Sequence, residues 1–273
     1  MASTPKAVEK YSKVKLLGKG SYGSAILVEQ ASDKTFAVIK KIDFTEEHPE
    51  VMKEALLLKQ MSHPNIIKLK EFYLTKKKKL WIVMEYADGG DISTKIKKIK
   101  DEGSVFTEAH IIYYFSQICD GIKYCHDKKI FHRDIKSQNI FVTSNDDIKI
   151  GDFGISKVLD NTKDNLQTLV GTPCYLSPEI IENQWYNIKS DIYALGVLLY
   201  EMWALRHPFR GDSIHALALQ IVSNKYDSLS DSYSLELRQL VDNLLSKDPE
   251  QRMSIDKIIE YIVSYKTWLP ESD

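Results

Sequence analysis

The chain has 273 residues, 43% of them hydrophobic and 27% charged, a length suited to one large domain or two lobes with a real buried core. Lysine and arginine number 37 against 38 acidic residues, so no global field recruits nucleic acid or an anionic membrane. Three cysteines, Cys119, Cys125 and Cys174, offer neither a disulfide framework nor metal-ligand spacing, which fits a reducing compartment.

In chain order, "MASTPKAVEK" at the start lacks the apolar run of a signal peptide, and Ala2 stands where myristoylation needs glycine. Stretches rich in β-branched residues follow: "KVKLLGKG", "GSAILVEQ" and "KTFAVIKKID". Between the first two, "GKGSYG" at 18–23 matches GxGxxG. A dinucleotide fingerprint needs a helix directly after the glycines, and "SAILVEQ" reads as a strand. The glycines therefore join two strands, either as a flap whose backbone closes over phosphates or as a plain hairpin turn. On the third strand Val38 and Lys40 share one face and Ile39 takes the other. Lys40 is a phosphate-binding candidate there, or simply an exposed lysine. A helix about "PEVMKEALLLKQM" sets Glu54 beside the apolar stripe of Val51, Ala55, Leu58 and Met61. A carboxylate in that position needs a cation, and Lys40 is the candidate. Two more strands, "IIKLKEFYL" and "KLWIVMEYA", are joined by the lysine turn "TKKKK".

From about residue 87 the pattern turns helical. Ile111, Phe115, Ile118, Ile122 and Cys125 recur at three- and four-residue steps, marking the inner face of a long helix. Further helices are expected near 190–205, 213–224, 234–246 and 254–263. The apolar run at 192–205 is too short to span a bilayer and reads as a buried helix. The fold expected is α+β: residues 1–86 form a small antiparallel β-sheet lobe with one helix, and residues 87–273 a larger, mainly helical lobe. The lobes meet near "MEYADGGD", in a soluble intracellular protein.

"HRDIKSQN" at 132–139 concentrates polar groups beside apolar runs, where each needs a partner or a task. "IGDFG" follows, and the strand-like pieces "IFVTS" and "DIKIG" around the turn "NDD" predict a hairpin that returns Asp152 close to Asn139. Aspartate and asparagine oxygens are hard ligands that suit magnesium held jointly with substrate phosphates. Asp134 faces an acceptor hydroxyl on this reading.

A glycine flap, a strand lysine, "HRDIKSQN" and "DFG", in that order, resemble the signature of a eukaryotic protein kinase. "SPE" at 177–179 stands for the usual APE, "DIYALG" for DxWxxG, and "DPEQR" supplies an arginine, Arg252, to pair with Glu179. Lys136 marks the Ser/Thr class, and "GTPCYLSPE" resembles a substrate-docking loop. Within the superfamily, "HRDIKSQNIF", "GDFGISKVL", "LVGTPCYLSPEI" and "YNIKSDIYALG" resemble the NIMA-related (Nek) kinases.

The resemblance implies a bilobal protein-kinase fold that transfers the γ-phosphoryl of Mg-ATP to serine or threonine of a protein substrate. Gly18, Lys19, Gly20, Ser21, Tyr22 and Gly23 would form the flap, and Lys40, fixed by Glu54, would hold phosphates. Ala25, Val38 and Phe141 would lie against adenine, Met84 would gate the pocket, Glu85 and Ala87 would offer backbone hydrogen bonds, and Asp91 would reach the ribose. Asn139 and Asp152 would hold magnesium, Asp134 would accept the hydroxyl proton, and Lys136 would offset γ-phosphoryl charge. Arg133, Lys157, Thr168 and Thr172 would be regulatory, with Thr168 the activating phosphosite. His132 would pack rather than exchange protons. Cell-cycle or cytoskeletal partners and a cytoplasmic, cytoskeleton-associated location follow from the resemblance alone. A pseudokinase of this fold usually lacks Lys40, Asp134 or Asp152, and small-molecule phosphotransferases lack an equivalent of "GTPCYLSPE".

Overall fold

Branched and aromatic side chains in alternation build β1 (Tyr11–Gly20), β2 (Gly23–Gln30), β3 (Phe36–Asp43), β4 (Leu69–Leu74) and β5 (Lys79–Glu85). The structure, a computed structural model, describes residues 10–20, 23–43, 55–75, 79–153, 173–230 and 233–266. Ser21, Tyr22, Glu54, Lys157, Thr168 and Thr172 lie outside the described residues. The strands form one sheet in the order β1-β2-β3-β5-β4, antiparallel throughout.

Facing residues on an antiparallel ladder project to the same side. One side of the sheet buries Ile26, Val28, Ala37, Ile39 and Val83, packed by Tyr11, Tyr73 and Trp81. The opposite side carries the pairs Ala25–Lys40, Leu27–Val38, Val38–Met84 and Lys40–Ile82. The pleat thus separates two adjacent lysines: the Lys41 ammonium lies 4.2 Å above the Trp81 ring, and Lys40 takes the other face.

A strand follows the glycines, as "SAILVEQ" predicts, so no helix N-terminus stands there to receive a pyrophosphate. Gly23 has φ +144°, and a Cβ on it would come within 1.7 Å of the Lys41 carbonyl oxygen. Close approach of β3 therefore demands glycine at 23. Residues 55–59 are helical, with Ala55 and Leu58 buried and Leu56 and Leu57 half exposed, which matches the predicted stripe.

Residues up to Asp88 belong to one compact unit, and those of 89–153 and 173–266 to a second. The second is mainly helical: α1 (Ile92–Asp101), α2 (Glu108–Asp127), α3 (Pro178–Ile181), α4 (Ile188–Ala204), α5 (Ile214–Ser223), α6 (Leu235–Leu244) and α7 (Ile255–Lys266). A short hairpin joins β6 (Ile140–Val142) to β7 (Ile148–Ile150). Ile111, Phe115, Ile118, Ile122 and Cys125 are all fully buried on α2, as their spacing predicts. Every residue of α4 from Ser190 to Trp203 is buried, so this helix forms the axis of the unit. It lies close to α6 because Gly196 has no side chain; a Cβ there would meet Leu244 Cβ at 2.8 Å. No described helix is long and apolar enough to cross a membrane.

Tyr193 occupies the tryptophan position of the DxWxxG pattern. Its ring is parallel to that of Phe209, with centroids 6.4 Å apart, and the Arg252 guanidinium lies 4.9 Å from it. The Tyr193 hydroxyl is buried without a hydrogen-bond partner among the described residues. An unsatisfied buried hydroxyl costs free energy that phenylalanine avoids. Tyr193→Phe is therefore expected to leave the fold intact and raise unfolding free energy by about 1 kcal/mol, read from urea denaturation. A loss of stability instead would show that the hydroxyl is bonded in solution.

Candidate active site

The hairpin forms as the polar turn predicts and brings its two ends together. The Gly151 amide donates to the Asn139 carbonyl at 2.9 Å, so Asp152 begins one residue beyond a direct backbone contact with Asn139. The Asn139 side-chain amide nitrogen donates to both the Asp134 carbonyl and Asp134 Oδ2, each at 2.8 Å. Lys136 Nζ donates to the same Asp134 oxygen at 2.8 Å. Asp134, Lys136 and Asn139 thus form one bonded cluster. The Asn139 amide oxygen lies outside these bonds.

This loop is strained and held. Arg133 has φ +66° and Asp152 φ +54°, left-handed conformations that cost roughly 1–2 kcal/mol for a residue with a Cβ. Asp191, fully buried near the start of α4, accepts from the amides of His132 (3.0 Å) and Arg133 (3.1 Å). Its carboxylate also accepts from His126 Nε2 at 2.8 Å and from the Tyr186 hydroxyl. Hydrogen bonds to a charged group contribute about 1.5–3 kcal/mol each, so two on the backbone outweigh the strain at Arg133. Burial alone would push the Asp191 carboxyl up, but His126 and the other donors hold it below the usual range.

His132 is buried, and burial keeps its ring below the usual histidine range. Its Nε2 donates to the Gly151 carbonyl at 3.1 Å, and its Nδ1 accepts from the Asp134 amide at 3.3 Å. Both ring nitrogens of one neutral tautomer are therefore engaged. The ring packs 4.6 Å from that of Phe153. It ties the Asp134 backbone to the end of the hairpin and has no nitrogen left for acid–base exchange.

Three residues that sequence reasoning passed over fasten this loop to the "GTPCYLSPE" segment. The Ser137 amide donates to the Tyr175 hydroxyl at 3.0 Å, and Ser137 Oγ donates to Glu201 Oε1 at 3.1 Å. The Tyr175 hydroxyl also donates to Glu201. An acid inside the apolar run "LLYEMW" was the available signal, since a buried carboxyl needs partners. Burial pushes Glu201 above the ordinary carboxylate range.

The predicted pair of Glu179 and Arg252 is present as a two-pronged bridge, both N–O distances being 2.8 Å. Arg252 also donates to the carbonyls of Ser246, Lys189 and Lys247, so all five guanidinium N–H groups have acceptors.

Ala25, Val38, Lys40 and Met84 come together on one face of the sheet. Leu17, 42% exposed where β1 bulges between Leu16 and Gly18, borders the Gly18–Ala25 pair and was not singled out. The Glu85 amide donates to the Lys68 carbonyl at 2.9 Å, so any backbone contact from Glu85 to a purine rests on its carbonyl. Ala87 is buried. Asp91 caps α1, accepting from the Thr94 amide at 2.8 Å, and bridges to Phe141 on β6.

No three His, Cys, Asp or Glu side chains among the described residues gather as metal ligands. The Asn139 amide is oriented by its bonds to Asp134, which leaves its oxygen as the remaining acceptor. With the Asp152 carboxylate this is a sparse, hard-oxygen donor set. It fits a divalent cation that takes its other ligands from substrate phosphates and water.

A family model described as the protein kinase domain matches residues 11–263. The chain belongs to the protein kinase family. It is 43% identical over 257 residues to serine/threonine-protein kinase Nek1 of Mus musculus, covering 93% of this chain and 21% of that protein. It is 42% identical over 258 residues to Nek5 of Homo sapiens (93% and 36%) and 42% over 261 residues to the probable kinase nek3 of Dictyostelium discoideum (93% and 23%). The resemblance to NIMA-related kinases is thus borne out. The chain spans between 21% and 36% of the lengths of these relatives. A protein kinase uses ATP and a divalent metal and acts on proteins.

Burial raises the Glu179 carboxyl pKa, but the Arg252 hydrogen bonds more than reverse this and leave it below its ordinary 4.5. The stabilisation is in force above pH 4.5 and is lost as pH falls through the lowered native value. Arg252→Lys cannot reproduce the fork and is expected to cost about 3 kcal/mol or more. Urea titrations from pH 7 to pH 3 should also show a shallower acid slope for Glu179→Gln than for wild type. An equal slope would remove this pair from the acid response.

Proposed function

We propose that this chain is an active serine/threonine kinase domain that transfers the γ-phosphoryl group of ATP to serine or threonine hydroxyls of proteins. The observation that carries this reading is the bonded cluster of Asp134, Lys136 and Asn139. It holds the Asp134 carboxylate in one orientation with a cation fixed beside it. Asp134 would accept the acceptor hydroxyl's proton and orient that oxygen for in-line attack. Lys136 would offset the charge gathering on the transferred group. Asn139 and Asp152 would hold magnesium, which when bound neutralises phosphate charge. Lys40 and the glycine flap would grip the phosphates, with Ala25, Val38, Met84 and Phe141 around the base. The domain division at 86/87 assigns nucleotide gripping to the first segment and catalysis and substrate docking to the second. Cell-cycle or cytoskeletal substrates and a cytoplasmic location are proposed from the Nek relatives.

Asp134→Asn keeps the shape and the contact to Lys136 but cannot take the proton. Phosphate transfer to a threonine peptide should fall about 10²- to 10⁴-fold, while nucleotide binding by fluorescence titration is retained. Turnover close to wild type would remove Asp134 from the mechanism.

Thr168 is proposed as the activating phosphosite, read by Arg133 and Lys157. A phosphate carries about −1.5 to −2 charge and three strong acceptors, enough to draw both cations. Glu50, an acid where a third basic contact is common, weakens this clamp. Thr168→Ala should reduce activity, and phosphopeptide mapping should place phosphate at Thr168 and not at Thr162. Full activity of the alanine variant would sink this assignment.

A further inference from the structure

Beyond the end of α4, three cations gather around one carboxylate. Arg206 Nη2 lies 3.0 Å and Arg210 Nη2 3.4 Å from the same oxygen, Asp227 Oδ2. Arg206 Nη1 is buried and has no hydrogen-bond partner among the described residues. Lys225 lines the same recess and forms no ion pair with a described residue. The other acid beside it, Asp242, is engaged by the Tyr226 hydroxyl at 2.6 Å. Three cations against the carboxylates of Asp227 and Asp242 leave an excess of one positive charge.

The recess is built. Its volume is about 250 Å³, and Pro208, Arg210, Gln220, Lys225, Tyr226 and Asp227 line it. The Arg210 amide donates to Gln220 Oε1 at 3.0 Å, and the Tyr200 hydroxyl donates to the Asp227 carbonyl at 2.9 Å. Arg206 lies 5.6 Å from the centre of the Tyr200 ring. The loop backbone and one guanidinium are therefore held in place, while the Arg210 side chain is 61% exposed and open to an incoming group. An aspartate or glutamate would match the excess charge but brings only two acceptor oxygens. A phosphate monoester, at about −1.5 to −2, brings more charge and three acceptors, enough to engage the Arg210 fork and the Lys225 ammonium together.

Position indicates whose phosphate it is. His207, on the same loop, packs its ring 5.3 Å from that of Tyr175, inside the "GTPCYLSPE" segment. A protein chain lying along that segment brings its flanking residues to this recess. We propose that the recess binds a phosphorylated serine or threonine already present on the protein substrate, so that the enzyme prefers primed substrates. This rests on the kinase reading of the site and adds a substrate class to it.

The test uses acceptor peptides that carry serine, glutamate or phosphoserine at each flanking position in turn, assayed with magnesium and ATP. At one or a few positions phosphoserine should raise kcat/KM about five- to tenfold over serine, chiefly through KM. The advantage should shrink as salt is added. In the Arg210→Ala, Lys225→Ala double variant the phosphoserine-to-serine ratio should fall to about 1. Arg210→Gln alone, which should lower the ratio part of the way, serves if the double variant does not fold by circular dichroism. No preference at any position, a preference that survives the substitutions, or glutamate matching phosphoserine would each overturn the proposal. Absence of turnover on every peptide would instead reject the kinase reading. Fluorescence anisotropy with a labelled phosphoserine peptide then tests the recess directly. Binding lost in the double variant supports it, and no binding by wild type overturns it.

Discussion

The Asp191 carboxylate is the constraint on which the rest of the candidate site depends. A charge at this depth is tolerated only because four donors surround it. Two of them are consecutive backbone amides of the loop that carries Asp134. Holding those amides fixes Arg133 in a left-handed turn, which sends the chain back so that Asp134, Lys136 and Asn139 reach one another. The apolar run around Asp191 matters for the same reason. Buried on all sides, α4 cannot shift without opening the core, so the carboxylate it carries is a fixed reference for the loop.

A second set of buried polar contacts extends this frame to the "GTPCYLSPE" segment. Tyr175 and Glu201 tie Ser137 to that segment, and the Arg252 fork secures Glu179 at its end. Removing one partner of a buried pair leaves a desolvated charge, which costs more than the pair gains when intact. Such contacts are better understood as fixing one geometry than as sources of stability. The cationic recess near Arg210 differs in kind. Its charges are unbalanced and partly open, as expected of a surface that waits for a ligand.

The two adjacent lysines of β3 illustrate how local rules and packing divide the work. Period-two alternation already separates Lys40 from Lys41, because successive strand residues point to opposite faces. It does not say which face is apolar. The ladder pairs of β3 with β2 and β5 decide that, by placing Ile26, Val28 and Val83 on the side of Ile39 and Lys41. Gly23 has two reasons to be glycine. Its place in a glycine-rich turn between two strands was legible in the sequence, whereas the approach of the Lys41 carbonyl came only from the register of two strands.

The sequence by itself determined the antiparallel sheet, the long helix of Ile111 to Cys125, the buried helix at 192–205 and the hairpin between Asn139 and Asp152. Each is written in side-chain spacing or turn chemistry over a few residues, so local physics suffices. It also paired Glu179 with Arg252, through the resemblance of the motifs that hold them. Tertiary structure alone decided what surrounds the buried polar groups, the four donors on Asp191 and the Ser137–Tyr175–Glu201 contact, and it assembled the recess of Arg210, Lys225 and Asp227. Most of these contacts join separate segments, such as His132 to Asp191 and Ser137 to Glu201, and no periodicity links them. Their partners are chosen by desolvation, which demands a donor or counter-charge from whichever segment the packing brings within about 3 Å.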